Sequence, residues 1–262
     1  MNATEFYQSG QLDEAIAAAT EQVKKSPMAV PARYFMAELL CFAGELDRAD
    51  LQLDALGQQD PQVTLAILQF RHLIRAEKAR QQFFAEGRLP EFLAEPASHV
   101  RPLLDASIRL REGADAEAAN LLGQAEEARP HATGTCDGQA FDDLRDLDDR
   151  TGPVLEVLTS NGKYYWVPWE QIEAISFASA ERPRDLVWRR IQLSVASGPD
   201  GEVFTPVLYA GTATDADPKL RLGRGTDWRE QQGVTRGVGQ KSFLIGDADR
   251  TIMELAELSF DR

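Results

Sequence analysis

The residue types able to do chemistry gather mostly in the second half of the chain, and none is set at a spacing that a reaction requires. Six aspartates, Asp137, Asp142, Asp143, Asp146, Asp148 and Asp149, crowd the stretch 130–152. Asp146-Leu147-Asp148 begins like a calcium loop, in which alternate carboxylates ligate the ion and a glycine at the sixth place makes the sharp turn. Arg150 stands where the third ligand belongs, and the glycine comes one place late, at Gly152. The run therefore reads as a solvated acidic linker. Ser160 and Lys163 have the Ser-x-x-Lys spacing of an acyl-enzyme nucleophile, but that pattern works at a helix start, and here it brackets Asn161-Gly162, a hairpin signal. Gly237-Val238-Gly239-Gln240-Lys241-Ser242 is close to the end of a phosphate loop, yet the lysine does not directly follow the glycine. His72, His99 and His131 have no metal spacing and no partner nucleophile. Cys41 and Cys136 form no Cys-x-x-Cys pair and lie too far apart to predict a disulfide framework. A protein that is not an enzyme and carries no metal or cofactor is the expectation. The alternative is a nucleotide- or small-ligand-binding protein using the segment Gly223–Lys241.

The elements that hold these residues begin with a repeat. Gly10 opens Gly-Gln-Leu-Asp-Glu-Ala and Gly44 opens Gly-Glu-Leu-Asp-Arg-Ala, 34 residues later. A weaker copy starts at Gly113. Each copy meets a proline 17 residues on, at Pro27, Pro61 and Pro130, and Pro96 fills the gap. This period, with glycine, then alanine, then proline, is similar to the tetratricopeptide (TPR) helix-turn-helix repeat. Glycine permits the turn after a first helix, a small alanine lets two helices approach, and proline ends the second helix. Leu12, Ala15, Ile16, Ala19 and Val23 keep the apolar spacing of an amphipathic helix up to Lys25. From Pro31 a second helix carries Phe35, Leu39 and Phe42 on one stripe. Asp60-Pro61 closes that unit. Thr64–Glu86 runs without Pro or Gly as one long helix, so the third unit is degenerate and should distort the solenoid. Val100–Arg111 and Ala114–Ala128 form the last pair.

After Gly152 the period becomes alternating. Val154–Leu158, Lys163–Val167, Ile172–Phe177, Ile191–Val195, Val203–Tyr209, Ser242–Ile245 and Thr251–Phe260 read as strands, although the last could be a helix. Asn161-Gly162 predicts a type I′ hairpin turn, and Pro206 predicts an edge position for its strand. Glu181–Leu186 reads as a turn or short helix. Tyr164 and Trp166 should point to one face of the hairpin and Tyr165 to the other, with core packing the expected use of the aromatics. The expected fold class is α+β: a TPR-like all-α domain over 1–130, an acidic Gly/Asp-rich linker over 131–152, and a small antiparallel β domain over 153–262, a bent sheet or open barrel.

Bulk properties narrow the partners. Lys and Arg number 28 against 42 Asp and Glu, a net charge of −14. Such a chain is repelled by phosphate, which argues against nucleic acid and anionic membrane. Met1-Asn2-Ala3-Thr4-Glu5 lacks the start of a signal peptide, and no apolar run approaches ~20 residues. A cytoplasmic location is expected.

Asp148-Asp149-Arg150-Thr151-Gly152-Pro153-Val154-Leu155-Glu156-Val157, Tyr164-Tyr165-Trp166-Val167-Pro168, Arg182-Pro183-Arg184-Asp185-Leu186-Val187-Trp188, Val207-Leu208-Tyr209, Leu222-Gly223-Arg224-Gly225-Thr226-Asp227-Trp228 and Arg236-Gly237-Val238-Gly239-Gln240-Lys241 follow the helical half. With that half, they resemble the ImpE family, also called TagJ, accessory proteins of bacterial type VI secretion systems. The resemblance implies a non-enzymatic adaptor that binds the N-terminal helix of the contractile sheath's small subunit and is linked to the AAA+ ATPase that disassembles the sheath. A short helical solenoid offers a concave face suited to such a helix. In TPR register that face carries Tyr34, Glu38, Cys41 and Phe42 in one unit and Ser107, Leu110 and Arg111 in the last. Helix–helix packing is the other use open to each.

Overall fold

The computed structural model describes residues 1–59 and 64–261; Asp60 and Pro61, expected to close the second unit, lie outside them. Three helix pairs build the first half. They are α1 (Ala3–Gln8) with α2 (Leu12–Lys25), α3 (Val30–Phe42) with α4 (Leu46–Gln59), and α6 (Val100–Glu112) with α7 (Asp115–Ala128). The turn inside each pair sits on the repeat glycine, and Gly10, Gly44 and Gly113 all take positive φ, at 85°, 71° and 76°. That is the left-handed region in which a side chain is strained. The repeat alanines Ala15, Ala49 and Ala118 are wholly buried, so small size at these places is what lets the paired helices close.

Between the second and last pairs stands α5 (Thr64–Glu86), 23 residues long and without a paired second helix. It stops at Gly87, again with positive φ, at 86°. The chain then runs to the β half: the N–H of Glu91 donates to the Tyr164 carbonyl at 2.8 Å and the N–H of Trp166 donates to the Glu91 carbonyl at 3.1 Å. The degenerate third unit thus covers a sheet edge, which a bare strand would leave open.

The second half holds β1 (Gly134–Cys136), β2 (Gln139–Phe141), β3 (Leu144–Asp146), β4 (Val154–Leu158), β5 (Tyr164–Pro168), β6 (Ile172–Phe177), β7 (Trp188–Val195) and β8 (Gly201–Pro206). After a short helix α8 (Pro218–Arg221) come β9 (Thr226–Gln231), β10 (Val234–Gly239), β11 (Ser242–Ile245), β12 (Ala248–Thr251) and β13 (Glu257–Phe260). Eight of them form an antiparallel sheet in the order β2-β1-β13-β6-β7-β8-β4-β5; β12-β11-β3 and β10-β9 form two smaller ones. The α+β class with a TPR-like helical half holds.

Four expectations change. The stretch 131–152 is no linker: it supplies β1, β2 and β3, and Asp146 and Asp148 are buried. Its acids meet distant cations and backbone donors. Arg129 donates to Asp143 Oδ1 at 2.7 Å, and the N–H of Glu257 donates to Asp137 at 2.7 Å. The β4–β5 turn is wider than a two-residue type I′ turn. Thr159 and Lys163 close it at 3.0 Å, and of the turn residues only Gly162 has positive φ. Pro206 lies on an interior strand, at its last place. The ladder passes over it and resumes where the Val207 N–H donates to the Val187 carbonyl at 2.9 Å. Thr251–Phe260 is two strand ends, β12 and β13, joined by a turn rather than one element.

Candidate functional site

α5 positions the site. Phe70, Glu77 and Phe84 recur every seven residues, and Arg80 and Phe83 share that face at helical spacing. This face lies against β4, β5 and β7. Phe83 meets Trp166 edge-on with ring centres 4.7 Å apart, and Phe70 meets Trp188 edge-on at 6.0 Å. Tyr164 and Trp166 are buried as expected, but what they pack against is the helical half.

The polar residues of the same face are fully engaged. Arg80 donates from Nε and Nη2 to the two Glu156 oxygens at 2.7 and 3.1 Å, and from Nη2 to the Leu208 carbonyl at 3.0 Å. Arg80 Nη1 reaches Glu77 at 3.1 Å, and Trp188 Nε1 donates to the other Glu77 oxygen at 3.0 Å. Glu156 also accepts from the Tyr164 hydroxyl at 2.6 Å and meets the Lys241 ammonium at 3.0 Å. Lys241 pairs in turn with Asp146, whose Oδ1 lies 3.0 Å from the Tyr209 hydroxyl. Asp148 takes Nε and Nη2 of Arg150 and the N–H of Gly237. Burial by itself would raise the Glu156 carboxyl, but Arg80 and then Lys241 outweigh it and hold the group well below the usual carboxylate range. For Glu77 burial wins over Arg80 and Trp188, and its pKa is raised. Lys241, the lysine of the phosphate-loop-like run, is thus turned inward between two carboxylates, with only 3% of its side chain exposed.

Beside this seam two cavities open. One of about 390 Å³ lies between Cys41, Phe42, Phe84, Trp188 and the turn 209–214. The other, of about 170 Å³, lies between Phe84, Leu103, Leu110, Leu122 and Arg236. Phe84 and Arg150 line both, so the two cavities adjoin along one cleft-like face with these side chains between them. The Arg150 guanidinium sits over the Phe84 ring, 5.1 Å from its centre, a cation–π contact.

The residues expected on the concave face divide. Cys41 and Phe42 line the first cavity, and Ser107, Leu110 and Arg111 line the second. Tyr34 and Glu38 instead meet the turn Pro183–Leu186 of the chain's own β half. The Arg184 N–H donates to Glu38 Oε1 at 3.4 Å, and Arg184 and Arg182 donate to the Tyr34 hydroxyl at 3.3 and 3.4 Å. Burial is the largest influence on Glu38; with Asp185 it outweighs Arg184 and Arg182 and pushes the carboxyl up to about 7. Phe84, Arg150 and Arg236 were not anticipated. Glu77 and Arg80, interrupting an otherwise apolar stripe on α5, signalled a polar seam on this helix but not Arg150 or Arg236.

These features define a class: a TPR-like repeat protein whose inner face is partly filled by an antiparallel β domain. Residues 6–69 match the tetratricopeptide repeat family and residues 138–259 match the ImpE protein family. The type VI secretion system accessory component TagJ of Pseudomonas aeruginosa is 34% identical over 261 residues, covering 100% of this chain and 92% of that protein. The crystal structure of protein VPA1032 from Vibrio parahaemolyticus superposes with a TM-score of 0.93 at 28% identity, over 99% of this chain and 97% of that one. The chain belongs to the ImpE family, also called TagJ. Among the described residues no helix is long and apolar enough to cross a membrane.

Proposed function

We propose that this protein is a non-enzymatic, cytoplasmic adaptor of a type VI secretion system, which holds the N-terminal helix of the sheath small subunit in the cleft beside α5. The observation that carries the reading is that the two cavities adjoin, with Phe84 and Arg150 in the wall of both. It sets Cys41 and Phe42 of one helix pair and Ser107, Leu110 and Arg111 of another along one channel whose walls mix apolar side chains with arginines. An amphipathic helix lays its apolar side chains into such a channel at one-turn spacing. Engagement of the AAA+ disassembly ATPase belongs to the same reading: a bound sheath helix would be presented next to the ATPase's substrate.

Calorimetric titration with a peptide of the cognate sheath small subunit's N-terminal helix tests it. Saturable binding at micromolar strength or better is expected, weakened at least tenfold by Phe84→Ala. A folded protein and a helical peptide that do not associate would remove the adaptor reading.

A further inference from the structure

The smaller cavity is lined by three arginines, Arg111, Arg150 and Arg236, and by no carboxylate. In a chain with a net charge of −14 this is a local reversal. The three are held differently. Arg150 has its Nε and Nη2 edge taken by Asp148. Arg236 touches Asp115 through Nη2 at 3.4 Å, and its buried Nε has no partner among the described residues. Among the described residues Arg111 has only neutral acceptors, the Phe83 carbonyl at 3.2 Å and Ser107 Oγ at 3.3 Å. A guanidinium matches a carboxylate with two parallel N–H donors, so a charge met only by neutral oxygens favours an anion arriving from outside. The rest of the wall, Leu103, Leu110 and Leu122, is apolar and suits the methylenes that carry a carboxylate.

We propose that this cavity is a carboxylate subsite, filled by a Glu or Asp side chain of the partner helix while a bulky apolar side chain one turn away fills the larger cavity. The proposal rests on the adaptor reading. The two cavities adjoin across Phe84 and Arg150, and side chains three or four residues apart on a helix lie ~5–6 Å apart. Charge complementarity selects this occupant over a purely apolar helix, which would leave Arg111 desolvated beside the aliphatic wall.

Two arms test the subsite. In the first, the full-length protein is labelled on its arginine Nε–H groups and titrated with butanoate, a carboxylate with a short apolar tail. Saturable shifts of the Arg111 and Arg236 signals are expected, and none in Arg111→Gln. Unmoved signals in the native protein would overturn the subsite whatever the peptide does. In the second, the sheath peptide is titrated with each Asp and Glu replaced singly by its amide. One replacement should weaken binding roughly tenfold to the native protein and less than twofold to Arg111→Gln, as expected for a hydrogen-bonded ion pair. A peptide that binds both proteins equally, with no acid mattering, would overturn the proposal and leave the adaptor reading standing. Butanoate saturation without peptide binding would overturn the helix as occupant and make a free organic acid the ligand.

Discussion

Arg80 lies one turn before Phe83 on α5, Arg111 donates to the Phe83 carbonyl, and the two arginines are in opposite states. Arg80 is held by two carboxylates and a carbonyl, with 4% of its side chain exposed. Arg111 is held, among the described residues, only by neutral oxygens. The first contact joins the helical half to the β half across 76 residues of chain, and every partner in it is also engaged. The second leaves a positive charge on the wall of a cavity. A buried charge that is fully paired locates one domain on another, because removing either partner strands the other in a dry site. A cation with neutral partners has capacity left for a ligand. Satisfaction of the donors, more than burial, separates the structural half of this seam from the candidate binding half.

Breaking the paired side should be the more costly. Arg80→Met leaves Glu156 with Lys241 as its one remaining ion-paired cation among the described residues, and urea unfolding should show a loss of ~3–5 kcal/mol. A loss below about 1 kcal/mol would mean that the ion pair does not fasten the halves together. Next comes the packing that sets up the concave face. Ala15→Trp overfills the contact between the paired helices and should cost ~1–3 kcal/mol; a neutral result would undermine the repeat assignment.

The pH dependence of Glu38 extends the comparison to a buried carboxylate whose neighbouring cations do not outweigh its burial. Its carboxyl rises from about 4.5 to about 7 on folding. Between those values the folded protein keeps a proton that the unfolded chain has released. The contribution of Glu38 to stability therefore falls as pH rises from about 4.5 to about 7, by ~1–3 kcal/mol in all, and is flat above. Glu38→Gln should remove most of that slope in parallel melts at pH 5 and pH 8; an unchanged slope would place its source elsewhere. The smallest effect belongs to Arg111→Gln. With neutral partners only, its stability should stay within about 1 kcal/mol of the native protein, while peptide affinity falls. A stability loss equal to that of Arg80→Met would erase the distinction between the two arginines.

The helical half was legible because its information is local. The stripe from Leu12 to Val23, the turn glycines and the uninterrupted run Thr64–Glu86 all act over a few residues, and each was found where expected. The β half was legible as alternation but not as pairing. Gln232-Gly233, both with positive φ, make the tight β9–β10 turn, and a glutamine carries little turn signal. Asn161-Gly162 carries the strongest such signal and forms the wider turn. The cleft was half visible. Cys41, Phe42, Ser107, Leu110 and Arg111 follow from repeat register, while Arg150 and Arg236 enter from strands and loops that no periodicity ties to a helix.

The amino-acid order by itself determined that the first half would be paired helices with glycine turns, that the second would be short antiparallel strands, and that the chain resembles the ImpE family. These follow from backbone preference and periodicity, which need no distant partner. Only the tertiary structure decided what the aspartates of 131–152 do. A carboxylate near a lysine 95 residues away looks the same in sequence as one in water. Its desolvation, and the cation that offsets it, exist only once the sheet and α5 have come together.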